Sequence, residues 1–195
     1  LTFDNDGVMD EVHDLRDTYE ADMVSLIASG GDVAGIGWIL TALDAAMAQR
    51  AFSITTYYSL GSLTFPHELG HNMGCDHDQE NITAEGYRLY SYARGWRFYA
   101  AEDGKLKRTV MSYAPGTRIP YFSNPDISYM GTPTGVPVGD PDEAHNALTI
   151  TQSAPFIAQN RPQIAEGETE GEAPVVYEGY YCEKLGGIYT NELLR

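Results

Sequence analysis

Long apolar runs are missing from this chain: none approaches the roughly 18 consecutive residues that suggest a membrane-spanning helix. Cations are scarce, 12 Lys and Arg against 28 Asp and Glu, for a formal net charge of −16. That acidity argues against nucleic acid as a partner, because phosphate binding needs gathered Lys and Arg. Cysteine is also scarce. Cys75 and Cys182 are the whole complement and lie far apart in sequence, so they establish no disulfide framework. The chain starts at Leu1 with neither a basic nor an apolar targeting region. Any signal peptide is therefore expected to have been removed or to lie upstream.

What is present divides unevenly. Hydrophobic residues make up 43% of the chain, ordinary for a globular protein. The acidity belongs mostly to the ends, with eight acids against one base in residues 1–22 and seven against two in 166–195. Residues 166–174, EGETEGEAP, read as an acidic linker that cannot bury a core. The expected division is a domain over 1–163, a linker over 164–174, and the start of a further module or tail over 175–195.

Val8, Val12, Leu15 and Tyr19 recur at helical spacing, with His13 beside that stripe as a surface residue. Residues 22–28 read as a buried strand and 33–40 (VAGIGWIL) as a second. Its Gly35 and Gly37 leave the backbone open to close approach by another chain; a merely glycine-weakened strand is the alternative. Residues 51–55 suggest a third strand, and Leu40, Leu43 and Met47 a short helical connection between the two. Asp103-Gly104 predicts a hairpin turn, and residues 114–139 an ordered loop rich in Pro and Gly. The last helix is expected to start with Asp140 as N-cap and Pro141 as first residue, and to run to about Asn160 with a kink at Pro155. His145 lies on it and is read as structural or exposed.

The chemistry sits in His67-Glu68-Leu69-Gly70-His71-Asn72-Met73-Gly74-Cys75-Asp76-His77. Residues four apart share a helix face, so His67 and His71 present imidazoles to one ion. Glu68 lies one residue beyond the first ligand, suited to deprotonating a water rather than ligating. Gly74 permits the left-handed turn that ends the helix and brings back His77 as third ligand. Three histidines leave a tetrahedral Zn2+ one open position, the mark of a catalytic site. These five fixed positions arise by chance in on the order of one in 10^5 chains of this length, so scattered surface histidines are a poor account. Cys75 reads as a small turn residue.

With Thr109-Val110-Met111-Ser112-Tyr113 and Pro115-Gly116 following, the motif resembles the metzincins, zinc endopeptidases named for a methionine turn beneath the metal. Asp78 after the third histidine resembles the reprolysin (adamalysin) group. HELGHNMGCDHD with TVMSYAPGTRIPYFSNPDISY resembles its bacterial members, over about Asp10 to Pro162. The resemblance implies an α+β metzincin-type zincin with a small mixed sheet, an active-site helix, the methionine turn and a C-terminal helix. It implies that Met111 forms the hydrophobic base of the zinc site. Tyr113 would lie near zinc and support the oxyanion, a buried Tyr beside a turn being the alternative. Gly35, Ile36 and Gly37 would belong to an edge strand pairing with extended substrate. Arg118, in the loop 114–122 that walls the pocket for the first side chain after the scissile bond, would favour an acidic side chain; a solvated arginine is the other reading.

Implied partners are a protein or peptide substrate and other domains of a longer precursor, in a secreted or cell-surface bacterial protein. The chain departs from the family in lacking the strand, long helix and strand that normally precede the Asp10 helix, so N-terminal truncation is expected. Pro66 directly precedes the first ligand, which predicts a metal helix starting near it. A catalytically incompetent zinc-binding or adhesion module is the competing reading, opposed by the retained Glu68.

Overall fold

A central strand is paired along both edges, and its side chains are buried on both faces where helices cover the sheet. Phe52–Thr56 (β3) fits: all but Ile54 are buried, and it has a strand on each side. In the computed structural model, which describes residues 3–83 and 88–160, Val24–Ala28 (β1) lies parallel to β3 with Val24 opposite Phe52. Gly35–Gly37 (β2) lies antiparallel on the other side, with Gly35 opposite Thr55 and Gly37 opposite Ser53. The strand predicted over 33–40 is confined to these three residues. β1, expected to be buried, is half-exposed throughout, because among the described residues no strand covers its outer edge.

Helices take the two faces of this mixed sheet. Met9, just ahead of Glu11–Thr18 (α1), and Val12 within it pack against Phe52, Val24 and Leu26. This helix is shorter than the apolar stripe predicts, leaving Val8 and Tyr19 exposed. His13, expected on the surface, lies against the Phe52 ring at 5.1 Å. Arg16 crosses the same ring at 4.9 Å and donates to the carbonyls of Ala21, Asp22 and Gln49, tying α1 to the sheet ends. The connection to β3 contains one helical turn, Ala45–Ala48 (α2), whose Asp44 side chain accepts from the Met47 N–H.

Thr64–Asn72 (α3) covers the opposite face, and Asn72 donates to the carbonyls of Trp38 and Phe52 at 2.9 and 3.1 Å. Beyond it, Arg97–Tyr99 (β4) and Leu106–Arg108 (β5) form a hairpin through Asp103-Gly104, with Gly104 at φ 63°. Thr117–Arg118 (β6) joins β5 in parallel, and Ser128–Tyr129 (β7) pairs with Thr132–Pro133 (β8). The loop predicted over 114–139 thus contains three two-residue strands.

Asn146–Ile157 (α4) closes the fold and includes Pro155. Its start corrects the expectation at Asp140. Val136 and Ala144 exchange backbone hydrogen bonds, which holds 140–144 in turns, and His145 caps instead, its Nδ1 accepting from the Leu148 N–H at 3.2 Å. The acidic linker, the tail and Cys182 lie outside the described residues.

Candidate active site and metal centre

Leu63 takes the left-handed conformation (φ 64°) that breaks the chain after a 3-10 stretch and lets α3 begin at Thr64. Pro66 is therefore the third helical residue, two later than its expected place. The first four N–H groups of a helix have no partner within it, so the missing donor costs nothing there. Gly74 stands at φ +89°, and the Cys75 N–H returns to the Gly70 carbonyl at 2.9 Å, ending the helix as predicted. Asp76 then accepts from the His77 N–H at 2.7 Å and from the Thr83 hydroxyl at 3.0 Å, fixing the returning loop. Cys75 is more than a turn residue: it is fully buried with Val110 and Met111.

The three imidazoles meet. Nε2 of His77 lies 3.2 Å from that of His67 and 3.1 Å from that of His71. Each Nδ1 faces a backbone carbonyl: Val110 for His67 (2.9 Å), Cys75 for His71 (2.8 Å) and Asn81 for His77 (3.0 Å). A carbonyl only accepts, so every Nδ1 carries the proton and every Nε2 points a lone pair inward. Three lone pairs at that separation repel unless a cation lies between them. Nitrogens at 2.0–2.1 Å around a tetrahedral zinc stand about 3.3 Å apart, so the donor set fits the ion.

Electrostatics agree. Burial first, and the neighbouring imidazoles second, lower His67 to about 3 and His71 to about 4, and burial also lowers His77. All three are therefore neutral at pH 7, the form in which an imidazole can hold a metal. Among the described residues this is the one group of three His, Cys, Asp or Glu side chains placed to hold a metal.

Glu68 is 4% exposed, and burial raises its carboxyl to about 7, partly opposed by Arg118. Tyr113 lies tilted against His77, with ring centroids 4.3 Å apart, and is 43% exposed. Burial, then the charge of Glu68, raises its phenol above the usual value, so it remains a donor at neutral pH. Met111 is fully buried beneath α3 beside Val110, Cys75 and Phe122. Arg118 is not freely solvated: it donates to the Ser62 carbonyl at 3.0 Å, and its charge acts on His67, His77 and Glu68.

Three residues assigned no role at the site from sequence, Asp78, Arg97 and Arg50, support it. The buried carboxylate of Asp78 accepts from the Tyr113 N–H and from Arg97, each at 2.8 Å, clamping the third-ligand loop to the methionine turn. Arg97 also pairs with exposed Glu80. Arg50 lies over Trp38 at 5.0 Å and lines the cleft. The cleft, of about 680 Å³, runs along residues 35–39 past the three histidines, Glu68 and Tyr113; Arg118 is not part of its lining.

The model of the Reprolysin-like metallo-peptidase family M12B matches residues 4–139. The chain belongs to this family. The reprolysin-like chain is 31% identical over 160 residues to a peptidyl-Asp metalloendopeptidase of Xanthomonas campestris pv. campestris, covering 80% of this chain and 35% of that protein. It is 36% identical over 164 residues to a protein of the same name from Stenotrophomonas maltophilia (strain R551-3), covering 80% and 36%. A third, from Pseudomonas aeruginosa, is 29% identical over 203 residues, covering 91% and 34%. The reprolysin-like chain thus spans about a third of the length of these bacterial relatives. A solved chain in the "Structure of a chaperone-substrate complex" shares the fold, with a TM-score of 0.53 and 21% identity over 78% of this chain and 23% of its own.

Proposed function

We propose that this chain supplies the catalytic centre of a zinc endopeptidase, with His67, His71 and His77 holding Zn2+ and Glu68 acting as general base. The observation that carries this is the convergence of three neutral Nε2 atoms beside a buried carboxylate raised to about 7. Zinc, when bound, supplies a Lewis acid that polarises the scissile carbonyl and acidifies a water. Glu68 takes the proton of the attacking water and hands it to the departing amine, its raised pKa suiting both transfers near neutrality. Tyr113 donates its phenol to the oxygen on which negative charge develops. The outer edge of β2 has no strand partner among the described residues and borders the cleft, so residues 35–37 pair with an extended peptide.

Arg118 favours an acidic side chain after the scissile bond. Support comes from its charge beside His67 and Glu68 and from relatives named for Asp. The substrate is protein or peptide; further domains of a longer precursor accompany the chain, consistent with the length of its relatives. Secretion from a bacterium fits the family and the acidic segment 166–174. Among the described residues no helix is long and apolar enough to cross a membrane. An incompetent binding module is not favoured, because a structural zinc site gains nothing from a buried base.

The test is zinc content and cleavage of an unfolded protein, compared with Glu68→Ala. One zinc per chain in both, with chelator-sensitive cleavage in the unsubstituted protein alone, is expected. Zinc without cleavage in the unsubstituted protein refutes the endopeptidase reading.

A further inference from the structure

Gly35 and Gly37 are required by something other than their own backbone conformation. A positive φ favours glycine, but neither residue has one; among the described residues the positive-φ glycines are Gly7, Gly74, Gly104, Gly116, Gly131 and Gly139. Their Cβ positions face α3, on the side of the sheet carrying Ser53 and Thr55, with Ile36 turned the other way and 59% exposed. A Cβ on Gly35 would lie 2.5 Å from Glu68 Oε1, 2.8 Å from Glu68 Cγ and 2.7 Å from Thr64 Cγ2. A Cβ on Gly37 would lie 2.9 Å from the Glu68 carbonyl oxygen and 3.4 Å from Oε2. Real Cβ atoms do not approach other atoms to 2.5 Å, so in each case a neighbour must move.

We infer that the glycine pair of β2 is the seat of Glu68. Gly35 positions the carboxylate, and Gly37 sets how closely α3 lies on the strand. From sequence these glycines read as open to an approaching chain or as a merely weakened strand; substrate pairs in the plane of the sheet, whereas the missing side chains point out of that plane into α3. The strand that offers its edge to the peptide therefore also places the base, locking carboxylate and substrate backbone in one frame. The two glycines act on different things. A methyl group at 35 meets the Glu68 side chain, which can swing away without disturbing the ligands. At 37 it meets the backbone of α3, which carries His67 and His71.

This inference rests on Glu68 being the base, but the seat itself is testable without activity. Thr64→Ser removes the Cγ2 conflict and keeps the hydroxyl that faces Ser62 at 2.9 Å, so the test is made in that background. There, Gly35→Ala is expected to keep one zinc per chain and to leave KM within about threefold. Its kcat should fall about 100-fold, the effect of displacing a reacting group by about 1 Å. Gly37→Ala is expected instead to weaken zinc binding. The second arm is a double-mutant cycle on thermal melting of the zinc-loaded protein. Gly35→Ala should lower the midpoint by more than about 4 °C with Glu68 present and by less than about 1 °C in Glu68→Ala. If Gly35→Ala prevents folding, addition of Glu68→Ala must restore it. Unchanged kcat, or an equal melting loss with and without the Glu68 side chain, overturns the seat. An inactive parent protein with the expected cycle keeps the seat and refutes the endopeptidase reading.

Discussion

Replacing Glu68 by Gln in the metal-free protein should stabilise it at alkaline pH and do nothing at acid pH. Burial raises the Glu68 carboxyl from 4.5 to about 7, so the folded state holds that proton more tightly than the unfolded chain does. For an acid whose pKa is raised by folding, the group's contribution is fully present below the unfolded pKa of 4.5. It is lost as pH rises toward the folded value near 7. A tenfold change in proton affinity corresponds to about 1.4 kcal/mol, so above pH 7 the buried charge costs about 3 kcal/mol. At 4% exposure the residue has little solvent to screen it.

Glutamine keeps the shape and never ionises. Glu68→Gln should therefore match the unsubstituted protein at pH 4 and exceed it by about 3 kcal/mol at pH 8. The depressed histidines act in the opposite direction, losing stability as pH falls below 6.5. They are common to both proteins and cancel in the difference. Urea unfolding in chelator from pH 4 to pH 8 measures it. A difference that is flat with pH, or that favours the unsubstituted protein at pH 8, refutes the claim that Glu68 is a desolvated, unpaired carboxylate.

Asp78→Ala leaves the Arg97 pair broken and the Tyr113 N–H unsatisfied; a loss of about 3 kcal/mol is expected in denaturant unfolding. Met111→Ala should cost about 2–5 kcal/mol by the same measurement, and Met111→Leu under about 1.5, because only the first leaves a cavity under α3. Tyr113→Phe should lower kcat about 100-fold with zinc retained; unchanged turnover removes the phenol from the mechanism. Arg118→Gln should lower kcat/KM for Asp-containing peptides at least about tenfold relative to their Asn counterparts, while Arg50→Gln should not; the reverse would move acid recognition to Arg50.

The metal site was legible from sequence because its parts are local. Two histidines four apart on a helix, a carboxylate between them and a glycine that turns the chain need no tertiary information, and all three Nε2 atoms lie together. Family membership followed from that motif and the methionine turn. The position of β1 and the Asp103-Gly104 turn were legible for the same reason of short range, while the α+β class came from the family resemblance.

What depended on contacts between distant segments was not. Periodicity placed His13 beside its helical stripe but could not say that Phe52 lies against it. Asp140-Pro141 has the local chemistry of a helix start, yet the Val136–Ala144 pairing holds it in a turn and passes the cap to His145. Arg118 has a backbone carbonyl 56 residues away as its partner. Asp78 reached the methionine turn 35 residues on, through a hydrogen bond that no spacing rule encodes. Gly35 and Gly37 show the division most clearly: sequence marks a strand without side chains, while only the packing of α3 shows which atoms occupy that space. The sequence nominated the groups for the proposed chemistry, because helix spacing and the turn at Gly74 are local features. The tertiary structure decided how they are held and charged, because burial and long-range partners exist only once the chain has folded.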